Sequence, residues 1–330
     1  MNYELSEKIL AEIKGAKKIL VNCHRSPDAD SVGSALSFYE VLVSMGKDVR
    51  VICPDKLPGD LKFLPFSQKV EKIDFEKFDF ASYDLFVILD SGNFAMVAKR
   101  KETPMPEIKK IVIDHHKTNE TFGDINLVDE NISSTAELLY LIIEDWGISI
   151  NKTIAQNLLA GIIADTGVFA YQMVTTKTLE TARFLIEKGA DKNEIILNIF
   201  RSYSFNKLKF WGEILKRMEW DEEHHFIWSA IPHEVYKNFD NPASAKESAA
   251  SLFAPIIKDT DFGMVMVEEE KGILSISLRG RTDFDVSKIA EKIGGGGHKS
   301  ASGAKVYMDF DSAVIKVLET ARKIADENKN

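Results

Sequence analysis

Three short apolar segments in the first half of the chain each end in residues that can ionise. They cover residues 17–24 (KKILVNCH), 84–90 (DLFVILD) and 110–114 (KIVID). An uninterrupted apolar run of this length is typical of a strand buried on both faces, as in a parallel sheet. Such a sheet restricts this part of the chain to an α/β architecture with titratable groups at the strand ends.

Helical periodicity between these segments completes the architecture. Residues 31–46 place apolar side chains on one helical face, residues 49–53 form a further strand, and residues 153–164 form another helix. Ser134 and Glu137 have the spacing of a capping box that opens a helix. We predict a doubly wound, mainly parallel α/β domain.

The second half shows a different order of elements. Residues 176–220 are predicted to be helical, with breaks near Gly189 and Ser202, and a smaller α+β domain follows. The predicted organisation is a first domain, a helical linker and a smaller domain, at residues 1–188, 189–220 and 221–330.

Composition and charge exclude several classes of protein. The chain has 330 residues and a net charge of −9, whereas proteins that coat long nucleic acids carry a large basic surface. No apolar run reaches the roughly 18 residues of a membrane helix. The N-terminus is charged where a signal peptide is apolar, so we expect a cytoplasmic protein. Two cysteines, Cys23 and Cys53, are too few for a disulfide framework and suit a reducing compartment.

Four clusters of acidic and histidine residues lie at the ends of predicted core elements. Taken singly, some have ordinary explanations, because Asp30 can cap a helix and Asp28 or Asp90 can belong to a turn. The run from residue 114 to residue 116 is harder to explain by packing, because a buried charge needs a partner or a metal. The clusters are His24, Asp28 and Asp30; Asp90; Asp114, His115 and His116; and Asp165.

Together the clusters predict a metal centre. Ligands of open α/β sheets bind outside the carboxyl ends of the strands, where these residues lie. Imidazole and carboxylate groups suit Mn²⁺ or Zn²⁺, and this set is large enough for two ions about 3.5–4 Å apart. One carboxylate can bridge such ions, with a hydroxide between them as nucleophile. Phosphoryl transfer is the main chemistry of two-metal sites rich in oxygen ligands.

Six motifs occur in a recognisable order. HRSPDADSVGSA, ILDSG, VIDHH and ADTG are followed in the second half by SLRGR and GGGGHKSASG. The first four resemble the motifs of the DHH phosphoesterase superfamily, and the last two resemble its DHHA1 domain. The length and the pairing resemble the nanoRNase branch, phosphodiesterases of short oligoribonucleotides that often also remove the 3′-phosphate of 3′-phosphoadenosine 5′-phosphate. The resemblance covers most of the chain.

The resemblance implies two Mn²⁺ ions per chain, with Mg²⁺ or Co²⁺ as substitutes. It assigns one ion to His24, Asp28 and Asp90. It assigns the second ion to Asp30, Asp90, His115 and Asp165. Asp114 is expected to orient a metal ligand, and His116 is expected to face the reacting water or the scissile phosphate.

The motifs of the second half imply a substrate site. Arg279 and His298 are expected to hold phosphate or nucleotide groups of the substrate. The glycine run lets backbone N–H groups approach an anion closely, although alone it could equally form a flexible turn. Many family members have serine after the arginine, whereas Gly280 follows it here, which affects the expected substrate preference. The glycines in question are Gly295, Gly296 and Gly297.

The predicted activity is hydrolysis of RNA of two to five nucleotides to mononucleotides, with 3′-phosphoadenosine 5′-phosphate as a further substrate. Expected partners are short RNA and small nucleotides, without long duplexes or membranes, and a homodimer is left open. Three alternatives stand beside this prediction. They are a phosphodiesterase for linear dinucleotides from cyclic dinucleotide turnover, an inorganic pyrophosphatase and a non-catalytic nucleotide sensor. A pyrophosphatase lacks GGGGH, and a sensor is expected to have lost metal ligands.

Overall fold

The computed structural model describes residues 3–100, 102–239 and 245–329. The chain forms two compact units, residues 1–202 and residues 203–330. This division falls within residues 189–220, which the sequence assigns to a linker. Within the described residues, no helix combines the length and the apolar character that crossing a membrane requires.

The first unit is built on a six-stranded sheet in which all strand pairs are parallel. The strands are β1 (Lys18–Asn22), β2 (Asp48–Cys53), β3 (Val70–Lys72), β4 (Leu85–Leu89), β5 (Lys109–Asp114) and β6 (Ile125–Val128). The helices are α1 (Leu5–Gly15), α2 (Ala29–Ser44), α3 (Phe94–Ala98), α4 (Thr135–Asp145), α5 (Lys152–Asp165), α6 (Thr176–Glu187) and α7 (Lys192–Phe200). This confirms the predicted parallel α/β fold.

Both faces of this sheet are covered, which explains the uninterrupted apolar strands. One face packs against α1, α2, α4 and α5, while the other packs against α3 and the aromatic side chains of residues 75–83. The strand order is β3-β2-β1-β4-β5-β6. The chain therefore leaves β1 in one direction and β4 in the other, and the crevice at such a reversal is where open α/β sheets bind ligands.

Helices α2 and α5 pack in close contact beside the carboxyl edge of the sheet. A Cβ atom on Gly33 of α2 would lie 2.3 Å from the carbonyl oxygen of Asn157 in α5. Only glycine fits at this crossing, and it brings together two helices that each carry a predicted metal ligand.

The second unit has a mixed sheet of the order β11-β12-β10-β9-β8-β7, in which, among the residues described, only β8 and β9 pair in parallel. Its strands are β7 (Glu219–Asp221), β8 (Phe226–Ile231), β9 (Phe262–Glu270), β10 (Ile273–Gly280), β11 (Gly296–Gly297) and β12 (Ala301–Tyr307). Its helices are α8 (Phe205–Lys216), α9 (His233–Tyr236), α10 (Ala245–Phe253), α11 (Ser287–Lys292) and α12 (Phe310–Lys329). Helices α11 and α12 cover one face, and α8, α9 and α10 pack against the other.

The structure confirms most of the predicted helical region and corrects its end. The three helices within residues 176–216 are separated near Gly189 and Ser202, as predicted, but Trp220 lies in strand β7 rather than in a helix. Trp220 is exposed at the sheet edge, where only three residues pair with β8. So short an edge strand leaves no periodicity to distinguish it from the end of a helix.

Candidate metal centre and substrate site

The loop after β1 carries the first predicted ligands. Asp28 caps α2 by accepting the backbone N–H of Ser31 (3.0 Å), so its capping role and its place in the site coexist. The His24 Nδ1 atom lies 2.8 Å from the carbonyl oxygen of Arg25. Because a carbonyl only accepts hydrogen bonds, Nδ1 carries a proton and Nε2 is the ring nitrogen that faces the carboxylates.

Asp90 lies at the centre of the site. It follows β4 with a φ of 52°, a left-handed conformation that Asp tolerates better than most residues. Its Oδ2 lies 3.4 Å from Nε2 of His24, and its Oδ1 lies 3.7 Å from Nε2 of His115. Thr135 Oγ1 donates a hydrogen bond to Oδ1 (3.0 Å). The two oxygens of one buried carboxylate thus face two different histidines, which is the arrangement a shared ligand requires.

β5 ends in three consecutive site residues with different surroundings. Asp114 is buried and lies 2.7 Å from Nδ1 of His116, and it accepts a hydrogen bond from Nδ2 of Asn119 (2.6 Å). His115 is directed toward Asp165 instead, with 3.2 Å between Nε2 and Oδ2. The His116 side chain is 46% exposed. Because Asp114 holds its Nδ1, Nε2 is the nitrogen left to contact a substrate.

Asp30 and Asp165 lie on α2 and α5. Both oxygens of the buried Asp30 carboxylate accept backbone N–H groups at the start of α4, from Thr135 (2.8 Å) and Ala136 (2.9 Å). A helix N-terminus favours negative charge, so α4 helps to keep this carboxylate in place. Gly161 permits the approach, because a Cβ there would lie 2.5 Å from Oδ1 of Asp30. Asp165 is the last residue of α5.

The pKa values reflect how much negative charge is buried here. Burial raises the pKa of Asp30 well above its usual value, and Asp90 and Asp165 add to the effect. Burial also raises the pKa of Asp165 to about 6, against the opposing effect of His115. Burial lowers the pKa of His24, but the carboxylates around it more than compensate and raise it to about 11. The repulsion among the carboxylates of Asp30, Asp90 and Asp165 favours the binding of cations.

Three overlapping groups of side chains have ligand atoms within 4.8 Å of one another. They are His24, Asp28 and Asp90; Asp30, His115 and Asp165; and Asp90, His115 and His116. The groups overlap at Asp90 and His115. The structure therefore brings all six predicted ligands together, and their nitrogen and oxygen donors fit divalent cations such as Mn²⁺. Asp114 lies behind this set and contacts it through His116.

Two residues of the site were not predicted from the sequence. Thr135 donates its hydroxyl to Asp90 and its backbone N–H to Asp30. Asn119 bonds to Asp114 and to the carbonyl oxygen of Ser91 (3.2 Å). Asn119 lies five residues after Asp114, in the loop that follows β5, so its position near the site could have been predicted from the sequence. Nothing in the sequence distinguishes Thr135 from any other first residue of a helix.

In the second unit, Arg279 lies near the end of β10. Its Nε donates a hydrogen bond to Ser251 Oγ (3.0 Å), and its Nη1 donates one to the carbonyl oxygen of Leu278 (2.8 Å). The guanidinium forms no ion pair among the described residues, so it keeps donors for an anion. The nearby glycines differ in their surroundings. A Cβ on Gly295 would lie 2.2 Å from the carbonyl oxygen of Gly303, whereas a Cβ on Gly296 would meet open space.

His298 follows the glycine run in a tight turn. Its backbone exchanges hydrogen bonds with Ala301, at 2.9 and 3.1 Å, and its side chain is exposed. The structure does not bring the His298 ring into hydrogen-bonding contact with Arg279. Gly297 has a φ of 144°, a conformation that favours glycine, and its Cβ would lie 2.6 Å from Ser302.

Two protein families match the chain. The DHH family, N-terminal domain, matches residues 18–162, and the DHHA1 domain matches residues 235–327. A relative from Thermus thermophilus, named bifunctional oligoribonuclease and PAP phosphatase NrnA, is 30% identical over 97% of this chain and 93% of the relative.

Two further similarities extend over nearly the whole chain. The crystal structure of an exopolyphosphatase-related protein from Bacteroides fragilis is 28% identical, with a TM-score of 0.88, and covers 98% of this chain and 97% of that chain. The cyclic-di-AMP phosphodiesterase GdpP of Bacillus subtilis is 26% identical over 98% of this chain, but over only 50% of its own length.

The fold and its buried donors define an α/β phosphoesterase with a site for divalent metal. The chain belongs to the DHH family of phosphoesterases and carries the DHHA1 domain of that family in its second half.

Proposed function

We propose that this protein hydrolyses RNA of two to five nucleotides to mononucleotides, using two Mn²⁺ ions per chain. The removal of the 3′-phosphate from 3′-phosphoadenosine 5′-phosphate is a second activity of the same site. The observation that carries the proposal is the position of Asp90, whose two carboxylate oxygens face His24 and His115 in overlapping donor groups. The name of the Thermus thermophilus relative supports the same two substrates.

Each ligand has a place in this proposal. His24, Asp28 and Asp90 hold one cation, and a second cation is held by Asp30, Asp90, His115 and Asp165. When bound, such ions supply positive charge for phosphoryl oxygens and lower the pKa of water. The chain itself keeps the ligands in position, because Asp30 and Asp90 are held through α4 by the hydrogen bonds described above.

His116 is proposed to contact the substrate directly. Asp114 fixes the orientation of the His116 ring through the hydrogen bond at Nδ1, and Asn119 in turn holds Asp114. In the protonated ring, Nε2 can then donate a hydrogen bond to a phosphoryl oxygen or to the leaving group. In the second unit, Arg279 and the backbone of Gly296 and Gly297 are proposed to bind a phosphate, and His298 to contact the nucleotide. The predicted role of Gly295 is not retained, because its backbone N–H already donates a hydrogen bond to the carbonyl oxygen of Ala290 (2.7 Å).

A second candidate function is hydrolysis of linear dinucleotides that arise from cyclic dinucleotides. The observation that favours it is the similarity to GdpP, which spans nearly the whole of this chain. This candidate shares the metal centre and differs only in the preferred substrate. A nucleotide sensor without activity is disfavoured because all six predicted ligands are present and close together.

A panel of substrates tests the proposal. The purified protein is incubated with Mn²⁺, Mg²⁺ or Co²⁺ and with an RNA dinucleotide without adenine, an RNA pentanucleotide, a long single-stranded RNA, linear di-adenylate and 3′-phosphoadenosine 5′-phosphate. We expect fast turnover of the short RNAs with Mn²⁺ and little turnover of the long RNA. Equal rates on long and short RNA would contradict the proposal. Turnover of linear di-adenylate alone would favour the second candidate.

A further inference from the structure

A groove of about 660 Å³, lined by both polar and apolar groups, runs along one face of the second unit's sheet. Its floor is formed by β10 and β12, which pair in antiparallel register, with Ser277 opposite Gly303 and Ser275 opposite Lys305. Arg279 and the glycines of β11 lie at one end of the groove, and Lys305 and Tyr307 line the other.

The alternation of side chains along β10 explains why this face is open. Leu274, Ile276 and Leu278 point to the opposite face, where they join the core under α11 and α12. On the groove side, β9 contributes Val265 and Val267 to the core under α8 and α10. The next strands, β10 and β12, replace such apolar residues with Ser275, Ser277, Gly303 and Lys305. These small and polar side chains leave room above the sheet.

The charges along the groove are positive at both ends. Arg279 keeps guanidinium donors for an anion, and Lys305 is exposed and forms no ion pair among the described residues. Lys246 also lines the groove, but its ammonium lies 3.1 Å from Oε1 of Glu247 and 3.2 Å from Oε1 of Glu269. It also donates a hydrogen bond to Ser275 Oγ. Because two carboxylates face one ammonium, this cluster carries a net negative charge, so the positive charge of the groove lies at Arg279 and Lys305.

Tyr307 adds an aromatic surface beyond Lys305. It is 72% exposed, and it lies at the end of β12 where the groove opens. Exposed aromatic rings beside positive charges are the features that bind single-stranded nucleic acids, because bases stack on the rings and phosphates contact the cations.

The length of the groove matches a short oligonucleotide. Arg279 and Ser275 are four residues apart on β10, a distance of about 13 Å at roughly 3.3 Å per residue. Stacked nucleotides advance about 3.4 Å each along a strand, so the floor has room for roughly three or four of them.

We propose that this groove is an extended binding site for the distal nucleotides of a short single-stranded oligonucleotide, with Lys305 contacting a phosphate and Tyr307 stacking on a base. The inference rests on the proposed function and deepens it, because it explains how substrates longer than two nucleotides gain affinity. A dinucleotide held at Arg279 does not reach Lys305 and Tyr307. Both residues therefore select for substrate length and take no part in the chemistry.

The test compares substrates of increasing length in the full-length protein. We expect Lys305→Ala and Tyr307→Ala each to raise the KM for an RNA pentanucleotide about tenfold, with unchanged kcat. The KM for a dinucleotide stays within about twofold of the wild-type value. The control is Lys316→Ala, which removes an exposed lysine from α12 and is expected to change neither value. Equal effects on both lengths, or no effect on either, would overturn the proposal.

A binding measurement separates this inference from the proposed function. Fluorescence anisotropy with a labelled RNA pentanucleotide in the presence of a chelator measures affinity without hydrolysis. If the wild-type protein binds and the two variants bind about tenfold more weakly, the groove is a binding site for the oligonucleotide even if no RNA is hydrolysed. If the wild-type protein binds the pentanucleotide no better than it binds a dinucleotide, the groove is not a site for the distal nucleotides, whatever the activity.

Discussion

The two units of this protein present their proposed sites in opposite ways. In the metal centre of the first unit, Asp30 and Asp90 are buried, and hydrogen bonds from α4 hold their carboxylates. The groove of the second unit is open, and its end residues Lys305 and Tyr307 are exposed. Chemistry on a phosphodiester needs fixed charges, whereas binding of varied sequences needs accessible charges and rings. The comparison predicts that substitutions in the first unit affect metal binding and rate, and that those in the second affect substrate affinity.

The largest expected effect comes from Asp90→Ala. Loss of the carboxylate shared between His24 and His115 is expected to remove both cations and lower kcat about a thousandfold or more. Metal content by mass spectrometry and turnover of an RNA dinucleotide are the measurements. Asp60→Asn, an exposed change in the same unit, is the control. Near-wild-type turnover in Asp90→Ala would show that this carboxylate is not needed to hold the cations.

Removal of metal is expected to destabilise the first unit. Without cations, the carboxylates of Asp30, Asp90 and Asp165 repel one another in a buried site. Metal present at about 100 times its Kd would add about 2.7 kcal/mol to the free energy of unfolding. Thermal unfolding with Mn²⁺ and with a chelator measures this difference. The same comparison in Asp90→Ala should show almost none, and an equal shift in both proteins would mean that the metal acts elsewhere.

A substitution at Gly33 tests how much the close crossing of α2 and α5 contributes to the stability of the first unit. Gly33→Ala places a Cβ 2.3 Å from the carbonyl oxygen of Asn157 and forces α2 away from α5. We expect a loss of about 2–3 kcal/mol in the free energy of unfolding, measured by urea denaturation. Gly296→Ala in the second unit meets no atom within 4 Å, and Gly15→Ala in the first unit meets none either. Similar losses in all three variants would show that the α2–α5 crossing has no special role.

The smallest effect is expected for His298→Ala. Because its ring is exposed and lies outside the metal donor groups, its loss should raise the KM several-fold and leave the metal content unchanged. His225→Ala, another exposed imidazole of the second unit, is the control and should leave the KM unchanged. A fall in metal content in His298→Ala would contradict the assignment of this residue to substrate binding.

Much of the fold could be predicted from the sequence because the central strands are buried on both faces. The strands β1, β4 and β5 are apolar runs in the sequence, and their carboxyl ends meet at one edge of a parallel sheet. The acidic and histidine residues that follow them could therefore be assigned to one site. The edge strands β3, β6 and β7 have at most four residues each and carry no such signal.

The parts of the site that sequence reasoning missed depend on tertiary contacts. The backbone N–H groups of Thr135 and Ala136 hold Asp30 from a helix more than a hundred residues away. A backbone donor has no residue type of its own, so no motif can reveal it. The cluster formed by Lys246, Glu247 and Glu269 likewise unites residues from α10 and β9, which only the folded unit brings together.

The most direct test is a crystal structure of the protein grown with Mn²⁺, with an anomalous difference map collected at the manganese edge. We expect two peaks in the first unit, on opposite sides of the Asp90 carboxylate. One lies among His24, Asp28 and Asp90, and the other among Asp30, Asp90, His115 and Asp165. A single peak, or two peaks that do not share Asp90, would contradict the central claim.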